Sequence, residues 1–406
     1  MPNNSKTPSK RSLQSLDYLN LFMADVRDGI GPELSIYLRA SHHWNPANIG
    51  IAVATSTITQ VVVQIPVGAL IDRIRSKRLL IWMATLCVII GCLGIAFIPT
   101  FPVVIGSQIL IGIAGATFLP TVAAITLGLV DRSKFDRRVG RNEAFNHGGN
   151  LIAATGAGLI GQFVARQAIF LLTAAFTVGS SIAVRGIRAR EIDYERARGA
   201  AESGQYSSLR KLLSDRRILF FAISIVLFQL GNSAMLTLLG QVLEQDKLFK
   251  AVDPVLYMSI SIIIAQLFML PAANLSGRLA GSGRKRVFLV GFAAVPLRGF
   301  LFTLWHNPIY LLSLQILDGI GAGIFGVISV LMIADLTKGT GRFNVTQGML
   351  NTCIGIGNGC SNLLAGFVAN KVGYNAGFLT LVAISVGALA FFWFFVPETA
   401  QDKKTS

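Results

Sequence analysis

Charge is what this sequence has little of. Only 14% of its 406 residues are Asp, Glu, Lys or Arg, against about 25% in an ordinary soluble protein. At the same time 52% are hydrophobic and the mean hydropathy is +0.60. That combination excludes a water-surrounded globule. Cysteine is scarce too: Cys87, Cys92, Cys353 and Cys360 all lie in apolar runs. None has histidine at zinc-type spacing, so they read as small packing residues, with neither a disulfide nor a metal site expected. No Walker-type phosphate loop is present, which argues against ATP hydrolysis as a driving force, and no cofactor is expected. Acidic residues are outnumbered 20 to 36 by Lys and Arg, giving a net charge of +16. By its size alone that charge would suit nucleic acid, but its placement does not, because the basic residues collect in short polar segments between long apolar runs. No cleavable signal peptide is read at the start, where the first residues are polar and basic.

What is present is a series of apolar runs of about 20 residues or more, each long enough to cross a bilayer as a helix. Twelve are expected: spans 1 to 6 over about 17–39, 46–71, 79–98, 103–130, 142–164 and 168–186, and spans 7 to 12 over about 218–242, 255–280, 287–305, 309–335, 343–369 and 375–396. The basic connections after spans 2, 4, 6, 8 and 10 place that side, and both termini, in the cytoplasm. The polar stretch around 187–217 separates two halves, and Ser207, Ser208 and Leu209 give a start signal for a surface helix over Tyr206–Leu213. The division expected is therefore a tail over 1–16, a six-helix bundle over 17–186, a linker over 187–217, a second bundle over 218–396 and a tail over 397–406.

The halves repeat one another. Gln108-Ile-Leu-Ile-Gly-Ile-Ala-Gly-Ala116 matches Gln315-Ile-Leu-Asp-Gly-Ile-Gly-Ala-Gly323, and Arg141 with Asn150 matches Arg342 with Asn351. Gly68 followed by Lys77 and Arg78 matches Gly277 followed by Arg284, Lys285 and Arg286. Three landmarks at similar spacings of roughly two hundred residues imply two six-helix halves related by an axis along the membrane normal.

The hinge Gly68-Ala-Leu-Ile-Asp72-Arg73-Ile-Arg-Ser-Lys77-Arg78 carries a resemblance. Glycine, three residues, Asp-Arg and then a basic cluster is similar to the loop between helices 2 and 3 of the major facilitator superfamily. Gly68 allows two helix ends to approach closely. Asp72 can accept hydrogen bonds from the N-terminal backbone of a neighbouring helix, or pair with an arginine. The second copy lacks the Asp-Arg pair, having Gly281 and Ser282 in that place. More narrowly, the runs Asp25–Pro32 and Arg141–His147 resemble a bacterial subgroup of that superfamily. The resemblance implies an all-α membrane protein of two pseudo-symmetric six-helix bundles in a bacterial inner membrane, working by alternating access. It implies that helices 1, 4, 7 and 10 line a cavity, and that Asp72 and Arg73 latch the cytoplasmic gate in the outward-facing state. Drug/proton antiporters of the superfamily carry a glycine-proline pattern late in helix 5; here Gly156–Gly161 has glycines and no proline.

Ionisable groups in lipid cost about 2.5–3.5 kcal/mol each on insertion scales, so those present in spans are candidates for function. Span 1 holds Asp25, Arg27, Asp28 and Glu33 among Gly29, Gly31 and Pro32, a charged helix expected to bend or unwind. Span 5 holds Glu143, Asn146, His147 and Asn150 at i, i+3, i+4 and i+7, which is one face. His147, as a histidine, can change charge near neutral pH and, with a nearby carboxylate, can carry a transported proton. The bland alternative for each is packing: Arg27 neutralising a carboxylate, His147 as an interhelical hydrogen-bonder. Span 11 offers Gln347 and Asn351 without charge. Asp318 in span 10 and Arg298 in span 9 are expected to pair. Gln60, Gln64, Gln229, Asn232 and Gln266 are further hydrogen-bonding residues, more often interhelical glue than ligand contacts.

The reading that follows is a secondary active transporter of a small polar or amphipathic solute (a metabolite, drug or siderophore), proton-coupled and monomeric, with membrane lipids around it and no nucleic-acid partner. The excess of carboxylates over arginines in the spans favours a cationic or zwitterionic solute, or protons alone. The alternatives are a lipid flippase or a non-transporting receptor on the same scaffold. An enzyme is not expected, since Glu143 with His147 is the only paired constellation.

Overall fold

The computed structural model describes residues 8–28, 34, 37–38, 41–44, 46–199, 214–245, 254–305 and 307–400. The regular elements among them are helices. In the first half they are α1 (Lys10–Asp28), α2 (Pro46–Arg73), α3 (Lys77–Phe97), α4 (Phe101–Leu129), α5 (Arg132–Phe163) and α6 (Ala168–Gly186), followed by the single turn α7 (Tyr194–Ala197). In the second half they are α8 (Arg216–Asn232), α9 (Ala234–Gln245), α10 (Pro254–Leu279), α11 (Arg284–Phe302), α12 (Pro308–Ser313), α13 (Gln315–Leu336), α14 (Phe343–Val372) and α15 (Tyr374–Phe395).

Nine helical stretches among the described residues are long and apolar enough to cross a membrane, and they fall on expected spans 2, 3, 4, 6, 7, 8, 10, 11 and 12. Helices also stand where spans 1, 5 and 9 were expected. These are α1, α5 and α11, and they are the charged ones: Asp17 lies in α1, Arg138, Arg141 and Glu143 in α5, and Arg284, Lys285, Arg286 and Arg298 in α11. Together they complete twelve spans in an all-α membrane fold.

Several boundaries differ from the sequence expectation for physical reasons. The basic segment 131–141, expected as a loop, is helical from Arg132, and two of its arginines, Arg138 and Arg141, are held by a buried aspartate of α1. In the same way α1 starts at Lys10, within the expected tail. Span 7 is interrupted at Ser233 between α8 and α9, and span 10 at Leu314 between α12 and α13. The surface helix expected over Tyr206–Leu213 lies outside the described residues.

The chain divides into two compact units, Met1–Tyr206 with Thr337–Met349, and Ser207–Leu336 with Leu350–Ser406. In the first, α1 packs on α5 and α6, α4 on α2 and α3, and α3 on α6. The second repeats the plan: α13 packs on α10 and α11, and α15 on α8 and α11. The matched Gln-x-x-x-Gly segments explain themselves here. A Cβ on Gly112 of α4 would stand 2.6 Å from the Ser56 carbonyl of α2. A Cβ on Gly319 of α13 would stand 2.5 Å from the Ala265 carbonyl of α10, and one on Gly323 2.7 Å from the Met269 carbonyl. Lipid tails are as apolar as leucine, so helices in a bilayer associate by close packing, which small residues permit. The two units then fill their centres differently. The second is cored by phenylalanines: Phe288 meets Phe292, Phe325 and Phe392 edge-on or tilted, while Phe228 stacks on Phe325 at 4.8 Å and Phe292 on Phe392 at 4.6 Å. Such pairs are worth about 0.5–1.5 kcal/mol each beyond area burial.

Candidate functional site

Three polar assemblies stand out, each within one unit. The first begins where α1 and α5 meet. Asp17 is buried and accepts from Arg138 Nη2 at 2.7 Å, and from Arg141 Nε at 2.9 Å and Nη2 at 2.9 Å, the last two as a fork on both carboxylate oxygens. Arg138 is only 7% exposed, whereas Arg141 is 54% exposed and lies over the Phe145 ring. Arg138 also donates to Asn142 Oδ1 at 2.9 Å, and Asn142 donates to Thr126 Oγ1 of α4 at 2.8 Å. From this anchor the polar face of α5 runs inward. Glu143, Asn146 and Asn150 are buried and His147 is half-buried. Gly149 brings α5 against Leu21 and Ala24 of α1, where a side chain would collide with the Leu21 carbonyl. Asp25 is the next residue of α1. The side chains of Asp25, Arg27 and Asp28, and the whole of Glu33, lie outside the described residues. Sequence reasoning missed Asp17, Arg138 and Asn142; the available signal was that Asp17 is the one acidic residue in the first 24.

The second assembly is the hinge after α2. Asp72 is 3% exposed. Its carboxylate accepts from the backbone N–H of Asn344 at 3.3 Å and of Val345 at 3.1 Å, and from Asn344 Nδ2 at 2.7 Å. A helix start leaves its first N–H groups without intrahelical partners. Asp72 supplies that cap for α14 from another helix, with its negative charge at the positive end of the α14 dipole. The approach is close: a Cβ on Gly68 would stand 2.5 Å from the Asn344 carbonyl, and one on Gly348 2.5 Å from the Gln64 carbonyl. Gln64 and Gln347 are both buried along this crossing. Lys77 is also buried and donates through Nζ to the Ile71 carbonyl, so it closes the turn, whereas Arg73 is exposed and Arg78 half-buried. The basic residues of the hinge thus have separate roles.

The third assembly is in the second unit. Arg298 of α11 is 2% exposed, ion-paired with Asp318 of α13 and bonded to Asn232 Oδ1 at 2.8 Å. The expected pairing of Arg298 with Asp318 is present, and it reaches the interruption between α8 and α9. There Ala234 N donates to Ser361 Oγ at 3.0 Å. Asn351 of α14 is half-buried. The counterpart of the hinge is built differently: Arg284 pairs with Asp335 at the end of α13, and Glu398 caps α11 by accepting from Arg284 N at 2.9 Å and Lys285 N at 3.1 Å. With no Asp-Arg pair after α10, this connection is fastened inside its own unit.

A family model described as Major Facilitator Superfamily matches residues 16–295 and 256–406. The chain belongs to the major facilitator superfamily. It is 40% identical over 398 residues, 97% of its own length and 94% of theirs, to uncharacterized MFS-type transporters of Mycobacterium tuberculosis, strains CDC 1551 / Oshkosh and ATCC 25618 / H37Rv. Its fold matches the crystal structure of a variant of the Escherichia coli fucose:proton symporter with a TM-score of 0.75, over 95% of this chain and 98% of that one, at 14% identity. This is a multi-pass membrane protein of a transporter family, whose members bind small-molecule substrates and are not in general enzymes.

Proposed function

We propose that the protein is a secondary active transporter that moves a small polar or amphipathic solute, such as a metabolite, drug or siderophore, across the bacterial inner membrane by alternating access, coupled to protons. The observation that carries this is the α5 face. Glu143, Asn146 and Asn150 are buried within the first unit, on the helix that meets α1 just before Asp25, Arg27 and Asp28. Burying that much polarity inside a bundle of a membrane protein is costly, and packing alone is served more cheaply by small apolar residues. His147 is the histidine on this face, and histidine is the side chain whose ordinary pKa lies near neutrality. The fold is shared with a fucose:proton symporter, which supports the coupling by analogy. Asp318 is a second coupling candidate, held by Arg298. Gln347 and Asn351 supply uncharged hydrogen bonds from α14. Asp72, capping α14, acts as the latch of the cytoplasmic gate. The basic connections put both termini in the cytoplasm, and the working unit is one chain.

Purified protein in liposomes with an internal pH dye tests this against a panel of solutes. Solute-dependent proton flux in the wild type, lost in Asp28→Asn or His147→Ala, is the expected result. Flux intact in both variants assigns those residues to packing. A solute flux without any proton flux contradicts the coupling.

A further inference from the structure

We propose that the linker segment 188–199 is the second half of the latch that holds the start of α14, so that the latch releases only when the linker does. This rests on reading Asp72 as a latch.

The first three backbone N–H groups of α14 are those of Phe343, Asn344 and Val345. Asp72 takes the second and third. The first goes to the linker, where Phe343 N donates to the Arg198 carbonyl at 3.1 Å. Just before it, Gly341 N donates to the Gly199 carbonyl at 3.2 Å, and Asn344 Nδ2, already on Asp72, also reaches the Ala197 carbonyl at 3.4 Å. The cap is therefore shared between a carboxylate of α2 and three successive linker carbonyls. Gly199 makes this possible. Its φ is +70°, and a Cβ there would stand 3.3 Å from both Phe343 Cβ and the Thr337 carbonyl.

The linker is fastened at its other contacts to the first bundle. Glu191 accepts from Ser9 N at 3.0 Å and Ser9 Oγ at 3.1 Å, and Arg188 N donates to Ser12 Oγ at 3.1 Å. Asp193 N donates to the Gly128 carbonyl at the end of α4 at 2.9 Å, and Arg196 pairs with Asp131 at 2.7 Å. Its own Ile192 and Ala197 are buried. A segment tied this way to α1 and α4 and bonded to the first turn of α14 is a strap. Withdrawal of Asn344 and Val345 from Asp72 also pulls the Phe343 and Gly341 N–H groups away from the strap carbonyls, so the strap bonds must break in the same step.

Val345 is fully buried, so a cysteine there reports opening. With the four native cysteines changed to serine, Val345→Cys is labelled by a membrane-impermeant maleimide in inside-out vesicles. Gly199→Val, which disfavours φ +70°, is expected to speed labelling about tenfold or more, as is Asp72→Asn. Arg196→Glu is expected to speed it about threefold, and adding Asp131→Arg to return it to the parental rate, which separates loss of the anchor from misfolding. If Asp72→Asn speeds labelling while Gly199→Val and Arg196→Glu leave it unchanged, the linker is a bystander and the proposal is wrong. If Asp72→Asn itself changes nothing, the latch reading fails and the strap falls with it.

Discussion

Asp17 shows how much one side chain can hold. Two arginines converge on it, but they are not equivalent, since Arg138 is sealed in and Arg141 is half in water. Removing one partner of a buried ion pair leaves an uncompensated charge at a cost of about 3–5 kcal/mol. Asp17→Ala is therefore expected to lower the thermal unfolding midpoint in detergent sharply, while Arg141→Ala lowers it far less because Arg138 still answers Asp17. Equal loss in the two variants would contradict this assignment. Glu191 gives a pH signature. Burial pushes its carboxyl up, but the Ser9 N–H, the Ser12 and Ser9 hydroxyls and Arg188 outweigh that and hold it below the ordinary glutamate range. A group depressed on folding stabilises the fold above its unfolded pKa, and the contribution is lost as pH falls through the folded value. Proteolytic cutting of the linker is expected to accelerate as the medium is acidified through that window, and Glu191→Gln to cut faster at neutral pH with a flatter pH dependence. An identical pH profile in wild type and variant would show that Glu191 does not hold the linker.

At the scale of elements, the glycines on α4 and α13 set how close neighbouring helices come. Gly319→Val places a branched side chain against the α10 backbone, and overpacking of this kind costs about 1–3 kcal/mol. The expected outcome is a lower unfolding midpoint for Gly319→Val, with Gly387→Val near wild type, because a Cβ at Gly387 meets nothing within 4 Å. Matching midpoints would remove close α10–α13 packing as the reason for the repeated glycines. The helices themselves were legible in the sequence because bilayer spans are long apolar runs bounded by charge, and nine of the twelve stand out on that ground alone. What was not legible depends on contacts far along the chain. Arg138 and Arg141 of α5 are held by Asp17, more than a hundred residues away. That Glu398 caps α11 follows from where the chain returns after α15. The hinge was legible as far as Asp72 either capping a neighbouring helix or pairing with an arginine; that it caps, which helix it caps, and the share taken by the linker, were not. Periodicity put Glu143, Asn146, His147 and Asn150 on one face, and burial agrees for three of them, with His147 half-exposed. It could not indicate Asn142, whose partners are Arg138 and Thr126.

Across the whole molecule, two copies of one six-helix plan have been made unequal. The first keeps the charged face on α5, the Asp72 cap and the linker contacts. The second replaces the cap with the internal Arg284–Asp335 pair and Glu398, fills its centre with phenylalanine, and carries a neutralised Arg298–Asp318 pair. The helix matched to α5 in the second copy, α14, carries Gln347 and Asn351 and no histidine at those places, so the proposed proton coupling centres on the first copy, with Asp318 the candidate in the second. The measurement that tests this most directly is solute flux in proteoliposomes under an imposed pH gradient, with and without a protonophore. Proton-coupled transport predicts accumulation against the solute gradient that collapses when the protonophore is added. Accumulation that survives the protonophore and follows a sodium gradient or a counter-substrate instead would contradict it.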